Sequence, residues 1–220
     1  MGQAIVVAGS KGGVAKTTLA AHLSVRAAKD GRASLIDLDP QQSLARWYEL
    51  RSRTLVGASN PGLMRRGDET PSEKVAMLKR AGADWIFVDL PPSDFDLIEP
   101  GIEAADFVII PVKASPIDLE AIEPICEVCE AEGKPFAFLL SIYDPKWKIS
   151  ATSAGYLEKL RKGHLVEPKF GYRSAYVAAM QHGLTGPEYP NDKAQAKACA
   201  EEVDAIWDVF KKLASRGAKR

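Results

Sequence analysis

The chain has 220 residues, 46% of them hydrophobic, enough to close one full core, and a single domain over residues 1–220 is expected. Lysine plus arginine and aspartate plus glutamate stand at 29 each, so bulk charge marks no partner; the charge is uneven, with 15 basic and 20 acidic side chains in residues 1–140 and 14 and 9 beyond them. No apolar run approaches membrane-spanning length, the start shows no basic leader, and three cysteines in no disulfide framework fit a reducing cytoplasm.

Residues 4–8 form a short apolar run that reads as a buried strand. Gly9 to Thr18 follow as a glycine-bearing turn, and a helical pattern opens at Leu19. Asp30-Gly31 stops that helix, and residues 33–39 read as a second strand ending in Asp37 and Asp39. A helix is expected over 42–53 and a short edge strand over 55–58, with a turn-rich stretch over 60–70. Pro71 opens a helix to residue 80, and residues 85–89 form a strand ending at Asp89. Helix 95–104, strand 107–112, helix 117–132 and strand 136–140 follow in alternation. The last third is expected to hold a helix, a short strand at 165–166, a helix at 175–181 and a long helix at 192–214. Near-continuous apolar strands between helices predict an α/β fold, a mostly parallel twisted sheet covered on both faces, with ligands beyond the strands' C-terminal ends.

Strand, glycine-bearing turn and Lys-Thr at a helix start form the architecture of a phosphate-binding loop. Gly12 and Gly13 let the backbone amides of residues 11–18 converge on an anion, so Lys11, Gly12, Gly13, Val14, Ala15, Lys16, Thr17 and Thr18 are the candidate nucleotide-binding residues. Lys16 can reach the β- and γ-phosphates, and the Thr17 hydroxyl can ligate Mg²⁺. The pattern G-x-x-x-x-G-K-[ST] is not met literally, because Ser10 and Ala15 stand where its glycines belong. If position 15 needs a positive φ, alanine costs about 1 kcal/mol there. Asp89, behind four apolar residues, suits the carboxylate that holds a metal's waters, Asp37 suits a second metal-side carboxylate, and Asp39 is placed to orient an attacking water.

The run Lys11-Gly12-Gly13-Val14-Ala15-Lys16-Thr17-Thr18 resembles the deviant Walker A loop of the ParA/MinD family of P-loop ATPases. Asp37-Leu38-Asp39-Pro40-Gln41 resembles that family's first switch, and Asp89-Leu90-Pro91-Pro92-Ser93 its second. Residues 105–112 and 115–119, with Asp118 where the ParA subgroup often places an interface acid, and residues 170–173 and 178–183 extend the likeness; the chain resembles the short ParA form without an N-terminal DNA-reading domain. The resemblance implies a P-loop NTPase fold that binds ATP and Mg²⁺ and an ATP-sandwich homodimer in which Lys11 reaches the partner's nucleotide. Lys11, Lys16 and Asp39 are then catalytic, while Thr17, Asp37 and Asp89 serve the metal. It further implies nonspecific binding to nucleoid DNA in the cytoplasm, and an adaptor of ParB type that stimulates hydrolysis so that a plasmid, chromosome or other cargo is positioned.

Two other readings arise from the same residues. Cys126 and Cys129 form a C-x-x-C that an iron–sulfur carrier of this fold could use, though i,i+3 spacing inside a helix also puts both thiols on a core-facing side. Val203, Ile206, Trp207, Phe210 and Leu213 make an apolar stripe beside Lys211, Lys212, Arg216, Lys219 and Arg220, as a MinD-like membrane-cycling ATPase would need. A core face is the simpler reading of that stripe, and no membrane partner is expected. His22, His164 and His182 show no ligand spacing. Lys146, Lys148, Lys159, Arg161, Lys162, Lys169, Arg173, Lys193 and Lys197 would bind DNA through phosphates if they share a face of the dimer.

Overall fold

The computed structural model describes residues 2–65, 67–144, 146, 153, 155–157 and 164–217. In chain order these form β1 Gln3–Val7, α1 Lys16–Ala27, β2 Ala33–Asp37, α2 Ser43–Thr54, β3 Gly62–Met64, α3 Pro71–Arg80, β4 Trp85–Asp89 and α4 Phe95–Glu103. There follow β5 Phe107–Lys113, α5 Pro116–Glu120, α6 Glu123–Ala131, β6 Phe136–Tyr143, β7 His164–Leu165, β8 Phe170–Gly171, α7 Ser174–Met180, a 3-10 turn Gly186–Glu188 and α8 Lys193–Gly217.

The strands lie in the order β3-β2-β4-β1-β5-β6-β7, and β8 pairs with β6 farther along the edge that β7 occupies. Every described pairing is parallel, with Val7 level with Asp89 on one side and with Ile109 on the other. The C-terminal ends of β1, β2 and β4 therefore share one rim, and the phosphate loop and Asp37, Asp39 and Asp89 fall on it.

Period-two alternation divides the strand side chains between two cores. Ile5, Val7, Phe87 and Ile109 face α1 and α8, where Trp207 packs edge-on against Trp85 at 4.7 Å. Ala4, Val6, Val88 and Ile110 face α4 and α6. The C-terminal stripe is spent on the first core, since Val203, Ile206, Trp207 and Phe210 are buried, with Leu213 packed against it. No helix among the described residues is long and apolar enough to cross a membrane.

Local chemistry explains the elements that differ from expectation. The helix expected over 117–132 is two helices, because Pro124 lacks the amide that would continue the hydrogen-bond ladder through residue 120. The edge strand is not at 55–58, where Gly57 turns at φ 88° and Val56 is solvent-exposed, but at Gly62–Met64. Asn60 pins its entry: its side chain accepts from Ala33 N and donates to the Ala28 and Gly31 carbonyls. The strand at Phe170–Gly171 was too short and too flanked by polar residues to be read from alternation. The start of α3 is as expected: Pro71 leads it, and Thr70 and Glu73 cap each other's backbone amides.

Candidate nucleotide site

β1 is wholly buried from Ala4 onward, so its end is fixed, and the chain must turn sharply to enter α1. Gly13 and Ala15 make that turn in the left-handed region, at φ 72° and 67°. Alternating handedness of this kind turns successive amides toward one point and makes an anion-binding concavity. Ala15 thus adopts the conformation a glycine would hold more cheaply, at a cost of about 1 kcal/mol. Val14 turns its side chain into the protein against Gly9, leaving its backbone as the group it can offer a ligand.

Lys16, the first residue of α1, is 7% exposed, and its ammonium donates to the Lys11 carbonyl at 3.0 Å. Burial lowers its pKa, and the Asp89 and Asp39 carboxylates oppose that shift. The Thr17 hydroxyl donates to Asp89 Oδ2 at 2.6 Å. Asp89 is fully buried, its Oδ1 has no hydrogen-bond partner, and burial pushes its pKa up to about 7 despite the Thr17 bond.

Asp37 is placed otherwise. Its Oδ1 accepts from Asp39 N at 3.1 Å and its Oδ2 from Ala45 N at 2.8 Å, so it organises the loop after β2 and the start of α2. Burial raises its pKa, and those amides oppose the rise. Asp39 is half-buried and caps its own loop through Gln41 N at 2.8 Å. Lys11 lies back on its own chain, donating to the Ile117 carbonyl at 2.8 Å, with Asp118 Oδ1 at 3.6 Å.

A cleft of about 620 Å³ opens on this rim. One wall is Gly12, Gly13, Ala15, Lys16, Thr17 and Thr18; the other includes Asp39 from the loop after β2, Arg46, Trp47 and Leu50 from α2, Val177 and Met180 from α7, and Gln181 just beyond it. Sequence reading did not assign the α2 and α7 residues to the site. In one dimension they look like ordinary amphipathic positions, and only the fold brings them opposite the loop.

The second wall is tied to the first. Trp47 Nε1 donates to the Leu184 carbonyl at 3.1 Å, and Arg51 makes a two-pronged pair with Glu188 at 2.8 Å. His22, on α1, donates from Nδ1 to the Thr18 carbonyl and accepts at Nε2 from Gly186 N, each at 2.7 Å. Burial holds its pKa down at about 4, so it is a neutral, satisfied structural histidine.

The remaining candidates lie elsewhere. Cys126 and Cys129 are buried in the α4–α6 core, where burial pushes Cys129 up to about 12, and no metal-holding cluster of three occurs among the described residues. Among the basic residues, Arg173 pairs with Glu202, Lys211 with Asp30 and Lys197 with Glu201, while Lys169 sits over the Tyr143 ring. Lys148, Lys159, Arg161, Lys162, Lys219, Arg220 and the side chain of Arg216 lie outside the described residues.

A parallel sheet whose first strand feeds a left-handed, lysine-bearing loop, beside a strand ending in a buried aspartate, defines a P-loop nucleotide-binding protein of the MinD/ParA fold. The chain belongs to the CobQ/CobB/MinD/ParA nucleotide-binding domain family, which residues 5–204 match. It is 29% identical over 211 residues to the maintenance of carboxysome distribution protein A of Halothiobacillus neapolitanus, covering 92% of this chain and 93% of that one. It is 31% identical over 194 residues to the chromosome-partitioning ATPase Soj of Thermus thermophilus, covering 76% and 78%. Its fold is also that of Mycobacterium smegmatis cobyrinic acid a,c-diamide synthase with bound ATP analogue and magnesium, at TM-score 0.72 and 20% identity over 96% of each chain.

Proposed function

We propose that this protein is an Mg²⁺-dependent ATPase that positions a cellular cargo by cycling between an ATP-bound dimer on DNA and a released monomer. The observation that carries the reading is the Thr17–Asp89 pair beneath the loop. A hydroxyl and a buried carboxylate with one orphaned oxygen are hard oxygen donors of the kind Mg²⁺ takes. Bound Mg²⁺–ATP would supply the phosphoryl group and the charge neutralisation its transfer needs. The chain's own residues do the rest. Loop amides 11–18 bind the phosphates, and Lys16 leaves the Lys11 carbonyl to join them. Thr17 and Asp89 hold the metal side, with Asp37 fixing the switch from behind. Asp39 turns its second oxygen to a water.

Lys11 serves the partner's nucleotide. Its pairing with Asp118 is a third exposed on the lysine side, and such a pair contributes about 0–1 kcal/mol, so exchanging it for a phosphate is easy. Two subunits sum their lysines and arginines against DNA phosphates without reading bases, and an adaptor of ParB type on the cargo accelerates hydrolysis and release. Relatives named for carboxysome distribution and chromosome partitioning support the cargo-positioning role.

The test is ATP binding by calorimetry together with DNA binding across a salt series. Wild type should bind ATP with Mg²⁺, and Lys16→Ala should weaken it by about tenfold or more, the value of a charge-assisted phosphate bond. DNA binding should require ATP and fall steeply with salt. Equal ATP binding by the two proteins, or DNA binding indifferent to nucleotide, overturns the reading.

A further inference from the structure

The segment that follows β5 is fastened to the phosphate loop at successive points. Ser10 Oγ donates to the Ala121 carbonyl, and Lys11 donates to the Ile117 carbonyl. A third approach comes from Lys113, the last residue of β5, whose ammonium stands 3.5 Å from the point a Cβ on Gly13 would occupy. Gly13 has no Cβ, so no side chain of its own stands between this cation and the turn of the loop. Lys113 is half-buried, and no carboxylate among the described residues lies within ion-pair distance of it. Lys11, by contrast, already has Asp118.

Sheet order gives this lysine a definite side. β1 carries the loop, β4 lies on one side of it with Asp89, and β5 lies on the other with Lys113. A phosphate chain laid along the loop would thus have carboxylate and hydroxyl oxygens on the β4 flank and, on the β5 flank, an ammonium with no carboxylate partner among the described residues. Thr18, inside the first turn of α1, marks one end of the loop's reach, and Gly13 lies toward the other. A flexible four-carbon stem ending in a point charge suits a phosphate oxygen there.

We propose that Lys113 is a further phosphate-contacting residue, which meets the terminal phosphate from the β5 side and favours ATP over ADP. This rests on the nucleotide-site reading above. The phosphate loop alone would hold the inner phosphates of both nucleotides, whereas a cation at its outer end is felt most by the triphosphate.

The experiment is calorimetric titration of wild type, Lys113→Gln and Lys113→Arg with the non-hydrolysable analogue AMPPNP and with ADP, each with Mg²⁺. Thermal melts without nucleotide confirm that the variants are folded. Lys113→Gln should lose about tenfold in AMPPNP affinity, as for one charge-assisted bond, with ADP affinity nearly unchanged. Lys113→Arg should recover most of the loss. An unchanged AMPPNP-to-ADP ratio in a folded Lys113→Gln protein overturns the inference and leaves the nucleotide site standing. Wild type that binds neither nucleotide overturns both.

Discussion

Asp89 and His22 are both buried titratable groups and oppose each other in titration. Asp89 is raised from 3.8 to about 7 by burial, so folding favours its protonated form. Its ionisation costs stability as pH rises from about 4 to about 7, up to about 4 kcal/mol. His22 is lowered from 6.5 to about 4 by burial, so folding favours its neutral form. Its contribution is complete above about pH 6.5 and is lost as pH falls toward 4, by about 3 kcal/mol. Metal-free thermal melts should therefore separate the two. Asp89→Asn should gain on wild type as pH rises from about 4 to 7, then run parallel. His22→Asn should gain on wild type as pH falls from about 6.5 to 4. Parallel curves throughout would mean that neither group is held as burial implies. Because a cation favours the ionised carboxylate, Mg²⁺ binding through Asp89 should also weaken below about pH 7.

Among elements, α2 matters most to the site, because it carries one wall of the cleft and directly follows the loop that holds Asp39. Its position depends on the segment after α7: Trp47 on Leu184, Thr54 on His182, and Arg51 on Gly183 and Glu188. Arg51 is 5% exposed, and removing it leaves the part-buried Glu188 carboxylate without its charged partner. Arg51→Ala should cost about 2 kcal/mol in chemical denaturation and loosen the α2 wall, so nucleotide affinity should fall as well. A variant with wild-type stability would show that the pair is replaceable by water.

This dependence also marks where sequence reading ends. The loop, Asp37, Asp39 and Asp89 were legible because each sits at the end of an apolar strand, and strand ends share a rim in any parallel sheet. The partners of α2 were not, since 137 residues separate Arg51 from Glu188 and no local pattern pairs them. Proline chemistry at 124 was legible and was outweighed by the apolar period running across it. The role of Asp37 was half legible: its place at the rim followed from the strand, while its commitment to Ala45 N needed the turn itself.

For the whole molecule, the proposed mechanism needs two subunits, and Lys11 is the residue on which that turns. Lys11→Ala should bind ATP as a monomer and fail to hydrolyse it, whereas Asp39→Ala should dimerise with ATP and turn over slowly. Mixing them is the decisive measurement, read as phosphate release. In the mixed dimer, the Lys11→Ala subunit keeps its Asp39 and receives the other chain's lysine, so hydrolysis should partly recover. Mixed dimers without recovery would place Lys11 in its own subunit's chemistry.

The indole of Trp47 has a consequence for how such measurements are made. The chain has four tryptophans. Trp85 and Trp207 lie edge to face inside the α1–α8 core, remote from solvent and from any ligand on the rim. Trp47 lines the cleft, with the Arg51 guanidinium 5.5 Å from its ring centre. Trp47 is only 2% exposed, so with Trp147 changed to phenylalanine the emission has a constant background from the core pair and one component that reports movement of the α2 wall and of the Arg51 charge beside it. The protein thus contains its own optical gauge of cleft occupancy, readable on a stopped-flow timescale without a dye.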